Sequence, residues 1–336
     1  MRVLNCKSIN ESYAKLINIL ITEGTPVSPR GIATREVSPL TVVIDDPRQN
    51  VIASPTRKLN YGFMNAELFW ILTGSDSVDD IAWYNSTWAN FSDDGRTLNG
   101  AYGMRIRRHP CAHGEVDQLK AAEEQLRADP LSRQATIVLF NPELDYKQTK
   151  DKPCTNLMRF KIRDDKLYML VVMRSNDVML GYPYDVYNFT CMQALLASKL
   201  GVGLGTYTHV VDSMHVYERD LGWAQDIVNE EFVDLYAKPW PSFMTAADQV
   251  DDVVQQVVNV AATTRNLGAE YSVRKVLGMV DAIEHEYWRS SAAMLALYNL
   301  RKHRLPQAVL DEVKTRITSE FSAFLDKYNE LPPKTE

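Results

Sequence analysis

Hydrophobic and polar positions fall into two regimes along the chain. In the first, short alternating or β-branched runs interleave with helical patterns. TVVIDD (41–46) and QATIVLF (134–140) have the β-branched character of strands. In RFKIRDDKLYMLVVMRSND (159–177), Arg159, Lys161 and Arg163 alternate with Phe160 and Ile162. Asp164–Asp165 then turns the chain and LYMLVVM returns as a buried strand, so the segment predicts a hairpin. GTYTHVVDSMHVY (205–217) predicts a further strand leading into a polar cluster. Between these runs, the opening MRVLNCKSINESYAKLINIL predicts an amphipathic helix, and MNAELFWILTG (64–74) a buried helix stopping at Gly74. Residues 115–128 and an apolar stretch from Tyr187 to about Lys199 are helical in pattern. SPRGIATRE (28–36) and the stretch 85–103 read as loops. The second regime follows KPWP (238–241) and is almost wholly helical. There, Val250, Val253, Val254, Val257 and Val258 share one face. The pattern predicts an α/β (α+β) chain with a mixed sheet packed with helices over 1–220. Residues 221–336 form a helical C-terminal extension packed on that core, not an independent domain.

Composition narrows the function classes. The 336 residues are 45% hydrophobic and 24% charged, enough for a sizeable core, and no apolar run reaches the roughly 18 residues of a membrane helix. The polar residues threaded through the N-terminal segment do not fit a secretory signal. Cys6, Cys111, Cys154 and Cys191 stand at no disulfide-framework spacing, which fits a reducing cytoplasm. A net charge of -6 speaks against a nucleic-acid or membrane surface, yet leaves room for an anionic small molecule held by local arginines. His109, Cys111 and His113 lack a fourth ligand, so HPCAHG (109–114) is expected to be a surface loop and no metal is expected. Gly201, Gly203 and Gly205 follow a helix and make no phosphate loop.

Taken alone, the thiol in PCT (153–155) is as readily a small packing residue as a nucleophile. The Arg174–Ser175 pair, at a strand end before a Gly-Tyr-Pro turn, offers a guanidinium and a hydroxyl suited to a phosphate. The same guanidinium could lower a nearby thiol's pKa. Cys154 after a proline, the hairpin, RSNDVMLGYPYD (174–185) and then His215-x-Tyr217 after a strand occur in a fixed order. Over Arg30 to Tyr217 that order resembles the thymidylate synthases and pyrimidine-nucleotide hydroxymethylases.

The resemblance implies a homodimeric transferase of one-carbon units, acting on a pyrimidine nucleoside monophosphate with 5,10-methylenetetrahydrofolate as co-substrate. It makes Cys154 the nucleophile at pyrimidine C6 and puts Arg174, Ser175 and Asn176 among the substrate contacts, with Arg30 closing over the phosphate. In SRQ (132–134), Arg133 is implied to reach the partner's phosphate site, although Gln134 replaces the family's second arginine. His215 and Tyr217 are implied to bind the sugar hydroxyl, and Glu67 to be a buried carboxylate relaying protons through water. The plainer reading of Glu67 is a helix glutamate facing water. Trp88 and Tyr102 are implied to wall the site, Phe91 stands where a second tryptophan is usual, and Asp177, Leu180, Gly181 and Tyr184 fall where the pterin is held.

Asp185 stands where thymidylate synthases have asparagine. Asparagine suits uracil, whereas a carboxyl group can meet cytosine, whose N3 accepts and whose N4 amine donates. The plainer reading of Asp185 is a helix cap. Thr155 replaces the usual histidine, and the end LPPKTE lacks the apolar closing tail of a synthase. With Phe91, these departures favour water over hydride as the finishing reagent. The expected reaction is hydroxymethylation at C5 of a cytidine monophosphate, dCMP in preference to CMP. A dCMP methyltransferase, a thymidylate synthase and a non-catalytic scaffold or RNA-binding protein are the alternatives.

Overall fold

A computed structural model describes residues 2–230, 246–268 and 272–326; KPWP and the LPPKTE end lie outside the described residues. The chain opens with strand β1 (Arg2–Cys6), not the helix its amphipathic pattern predicts. Helix α1 (Ile9–Glu23) begins only after Ser8, whose hydroxyl accepts from the Glu11 N–H as an N-cap. Upstream of that cap the backbone instead pairs in parallel with β4 (Leu40–Ile44). Strands β2 (Thr25–Val27) and β3 (Thr34–Val37) lie between α1 and β4.

Helix α2 (Tyr61–Leu72) is capped by the Asn60 side chain, and all of its residues are buried. It is the buried helix the sequence predicts, apolar around its whole circumference apart from a few polar insertions such as Glu67. Short helices α3 (Val78–Ala82) and α4 (Tyr102–Arg107) follow, separated by a 3-10 turn over Ser86–Phe91. Where a surface loop was expected, β5 (His109–Cys111) and β6 (Gly114–Val116) form a small separate hairpin. Then come α5 (Gln118–Ala128), β7 (Thr136–Val138) and α6 (Pro142–Asp145).

The expected hairpin is β8 (Thr155–Arg163) and β9 (Lys166–Asp177). Its turn residues, Asp164 and Asp165, take φ of 48° and 53°, as a two-residue type I′ turn requires. Helix α7 (Tyr182–Leu200) starts five residues earlier than its apolar run suggests, with Pro183 in its first turn. Strand β10 (Gly203–Tyr217) is the spine of the sheet, parallel to β9 and antiparallel to β4 and β3. The sheet order is β1-β4-β10-β9-β8-β7. Its alternation is clean. Leu167, Met169, Val171 and Met173 of β9 are buried, and α7 packs on this strand and β10. Tyr168, Leu170 and Val172 point the other way and stay half-buried.

The later helices are α8 (Leu221–Val228), α9 (Val250–Arg265), α10 (Val273–Asp281), α11 (Glu286–Lys302), α12 (Gln307–Lys314) and α13 (Ser319–Asp326). In α9, Val250, Val253 and Val257 are buried together with Val260, while Val254 and Val258 flank them. From Tyr287 to Leu300, every residue of α11 except Arg289 is buried, and α11 packs on α2 and α9. Polar bonds also tie α11 to the residues that end α3. Asn299 accepts from Trp83 Nε1 at 2.8 Å and donates to the Tyr84 hydroxyl at 3.0 Å.

Candidate active site

Cys154 sits immediately before β8, and the β8–β9 ladder extends to it through the Arg174 N–H, 2.9 Å from the Cys154 carbonyl. The Arg174 side chain holds the same loop, donating to the carbonyls of Pro153 (3.1 Å) and Lys152 (2.9 Å). Its guanidinium also lies 3.5 Å from the Cys154 sulfur. The loop is braced from behind by a fully buried ion pair, Arg105 with Asp145 at 2.7 Å. Arg105 donates to the Asn99 carbonyl, and Asn99 donates to Asp145 and to the Asp151 carbonyl. The Thr155 N–H donates to the Tyr102 hydroxyl at 3.2 Å, which fixes that ring beside Cys154. Of the four cysteines, Cys6 and Cys191 are buried and Cys111 is exposed; Cys154 is half-buried in this cleft. The sequence predicts that the Arg174 guanidinium pulls this thiol down, and it does, without deciding the balance. Instead burial pushes it up; Arg174 pulls against this, Asp185 and Asp151 add to the rise, and Arg30 pulls back less strongly.

Two carboxyl groups belong to this region, and the charge of Asp185 bears on both Glu67 and the thiol. Asp185, in the first turn of α7, does not act as a cap; its Oδ2 accepts from Asn176 Nδ2 at 2.7 Å. Burial pushes it up to about 7, against the opposing pull of that hydrogen bond. Glu67 does not face water. It is buried in α2, where its Oε2 accepts from Asn188 Nδ2 at 2.7 Å. Burial raises it to about 8, the Asp185 charge adds to the rise, and Asn188 opposes it.

Three polar residues at this centre carried no recognisable signal in the sequence. Asn188 lies one turn after Asp185 on α7, one of several polar residues in a mostly apolar run. Tyr207 and His209 are fully buried on β10. Tyr207 bonds His209 Nδ1 at 2.7 Å, and His209 Nε2 bonds Asn176 Oδ1 at 3.1 Å. The alternation of β10 already places both on one face, but nothing local says what they meet.

The parallel register of β9 and β10 sets Ser175 opposite Ser213 and Asp177 opposite His215. Ser175 Oγ is 3.4 Å from His215 Nδ1, and the His215 and Tyr217 rings meet edge-on at 5.3 Å. Arg30, at φ 54° in the turn Pro29–Gly31, is exposed, and its charge reaches Cys154. Arg133 is not gathered with these residues. It lines a surface depression with Gln125, Asp129, Leu131, Ser132 and Gln134.

Next to the cleft is an aromatic wall. Phe63 meets Tyr184 edge-on at 4.9 Å and Trp88 at 6.2 Å, and Trp88 meets Phe91 at 6.4 Å. Phe91 and Leu180 are 48% and 47% exposed, and the Asp177 carboxyl is half-buried. Asp177 Oδ1 accepts the N–H groups of Met179 and Leu180, which shapes the turn into α7. Gly181 closes that turn; a Cβ there would sit 2.9 Å from Asn176 Nδ2 and 3.4 Å from Asp185 Oδ2. Among the described residues, no His/Cys/Asp/Glu cluster could hold a metal ion, and no helix is long and apolar enough to cross a membrane.

A family model described as thymidylate synthase matches residues 11–235. A deoxyuridylate hydroxymethyltransferase of Bacillus phage SP01 is 35% identical over 62% of this chain, which spans just 57% of that protein's length. A protein of the same name from Delftia phage PhiW-14 is 29% identical over 76% of this chain and 75% of its own. A putative thymidylate synthase of Methanosarcina mazei is 31% identical over 68% of this chain and 94% of its own. The matched span holds the Cys154 loop, the Arg174–Asp185 segment and the His215–Tyr217 pair, so the chain belongs to the thymidylate synthase family.

Proposed function

We propose that this protein transfers a one-carbon unit from 5,10-methylenetetrahydrofolate to C5 of a cytidine monophosphate, dCMP in preference to CMP, and finishes with water to give the 5-hydroxymethyl product. The observation that carries this reading is the Asp185 carboxyl, half-buried and raised to about 7, beside the Cys154 thiol. A carboxylic acid in that state can donate to cytosine N3 and accept from the N4 amine. When sulfur adds to C6, electron density moves toward C5 and N3, and the same acid stabilises it. Arg174, Ser175 and Arg30 bind the phosphate, with Asn176 beside them at the base, while His215 and Tyr217 take the sugar hydroxyl. Burial raises the thiol, so Cys154 gives up its proton as the sulfur adds to C6 and not before it.

Bound in the aromatic wall of Trp88, Phe91, Tyr102, Tyr184 and Leu180, with Asp177 and Gly181 at its edge, the folate supplies the one-carbon unit. Glu67, through water, carries the C5 proton to the nitrogen on which tetrahydrofolate leaves; water then adds to the exocyclic carbon and sheds a proton, which goes to the Cys154 sulfur. The Cys154–C6 bond then breaks. Arg133 stands apart from its own cleft, and the half-buried sheet face bearing Tyr168, Leu170, Val172 and Val210 offers a pairing surface. Both features support a homodimer in which Arg133 serves the partner's phosphate site.

The phage relatives' names favour a second reading, hydroxymethylation of dUMP. Incubation with methylenetetrahydrofolate and CMP, dCMP or dUMP in turn, followed by product mass, separates the two. Hydroxymethyl-dCMP is expected; turnover of dUMP alone overturns the base assignment, and a methyl product overturns the water step. Asp185→Asn is expected to move base preference toward dUMP by about tenfold or more, since a bidentate base contact is worth 1–3 kcal/mol.

A further inference from the structure

We propose that His209 is a positioning residue for base selection: through Asn176 it dictates which oxygen of Asp185 can carry a proton. The proposal rests on the reading that Asp185 faces the pyrimidine edge. It arises from a line of four side chains on β10, β9 and α7, Tyr207–His209–Asn176–Asp185, with contacts of 2.7, 3.1 and 2.7 Å. Asn176 is 4% exposed, and both Tyr207 and His209 are fully buried. Burial holds the His209 imidazole neutral, pushed down to about 3, so it has one N–H to give.

The line can run in two directions. In the first, the Tyr207 hydroxyl donates to Nδ1 and His209 Nε2–H donates to the Asn176 carbonyl oxygen. The Asn176 amide nitrogen then donates to Asp185 Oδ2. In the second, every bond is reversed, and Asp185 must carry a proton on Oδ2 to meet the Asn176 oxygen. The first direction is satisfied whether Asp185 is protonated or ionised; the second fails as soon as it ionises. With the carboxyl at about 7, both states are populated near neutral pH, so the first direction is the one the fold can keep. The ionisable groups that feel the charge of this carboxyl include Glu67 on α2, Cys154 before β8, Tyr102 on α4 and Tyr207 on β10. Among the described residues, Asn176 is its hydrogen-bond partner.

The consequence is chemical. An N–H aimed at Oδ2 keeps that oxygen an acceptor and sends any proton to Oδ1. Cytosine fits this pattern, its N4 amine sharing Oδ2 while the Oδ1 proton meets N3. Uracil needs the opposite: a proton on the oxygen facing O4 and a bare oxygen facing N3–H. A protonated aspartate could meet that demand as asparagine does, if its proton were free to choose its oxygen. His209 removes the choice. Losing it frees the Asn176 amide to turn over and admits uracil.

Two measurements test this. In the 15N-histidine spectrum of the wild-type protein, the buried neutral imidazole, assigned to His209 by its absence in His209→Phe or His209→Gln, is expected to carry its proton on Nε2. A proton on Nδ1 overturns the proposal. In kinetics, His209→Phe and Tyr207→Phe are expected to lower the ratio of kcat/KM for dCMP over dUMP by about tenfold. General loosening would depress both substrates alike, so an unchanged ratio in a folded variant overturns the role. Should His209→Phe not fold, Tyr207→Phe decides the kinetic arm with the loss of a single oxygen. Asp185→Asn run in parallel tells the two failures apart. If it leaves base preference unchanged, the base reading fails. If it switches preference while the His209 and Tyr207 variants do not, only the present inference fails.

Discussion

Cys154, Asp185 and Glu67 are each raised by burial above their ordinary values, so near neutral pH the free cleft keeps its thiol and Glu67 protonated and Asp185 in both states. For Glu67 the effect on stability has a definite sign. Its folded value of about 8 exceeds that of an unfolded glutamate, roughly 4.3, so between those limits the folded state binds the extra proton. The stability this contributes is complete below the unfolded value and is lost as pH rises through the folded one. Glu67→Gln keeps the shape and drops the titration. At pH 9 the variant is expected to be more stable than wild type by on the order of 1–3 kcal/mol. Its kcat is expected to fall about a hundredfold, the usual scale for a lost proton relay. Urea unfolding at pH 5 and pH 9 checks the first half; equal pH dependence in both proteins would show that Glu67 titrates normally. Residues of this kind divide sharply in what the sequence reveals. Cys154, Arg174 and Asp185 are legible because one continuous segment and a neighbouring proline carry their spacing. His209 is not, because its partner Asn176 lies 33 residues away and a lone histidine in an alternating strand has no signature.

Elements show the same division. The β8–β9 hairpin is legible because its alternation and its two turn aspartates are local, and α2 because its apolar run is long and Gly74 follows its end. Strand β1 is hidden, since it exists through parallel pairing with β4, more than thirty residues on. Five residues of mixed polarity look like the first turn of α1 until the Ser8 cap sets the boundary. The late helices were legible as helices but not in their destination. Helix α11 lies against α2 so closely that a Cβ on Gly62 would sit 2.2 Å from Tyr298 Cδ2. Both residues are buried in the helix pair, leaving the ring no open direction in which to yield. Gly62→Ala is therefore expected to destabilise the fold by about 1–3 kcal/mol despite the better helix propensity of alanine. Thermal unfolding measures it. A variant as stable as wild type would mean that the seam between α2 and α11 is loose.

For the whole molecule, the proposed dimer follows from what one chain leaves undone. Arg133 lies on an exposed turn outside its own cleft, and Gln134 stands where the family's second arginine would be. If the site borrows charge across the interface, one arginine carries it, and its loss cannot be covered by a neighbour. Arg133→Ala is then expected to raise KM for the nucleotide by about tenfold or more, the scale of a charge-assisted contact. Cys154→Ala is expected to abolish turnover while leaving its own Arg133 intact. Mixing the two under conditions that exchange subunits creates pairs in which one cleft has both Cys154 and a partner's Arg133, while the other cleft has neither. Nucleotide turnover at low substrate should therefore rise above that of either parent. Two variants that stay additive at every mixing ratio, although sedimentation shows exchanged dimers, would mean that Arg133 serves its own cleft or none.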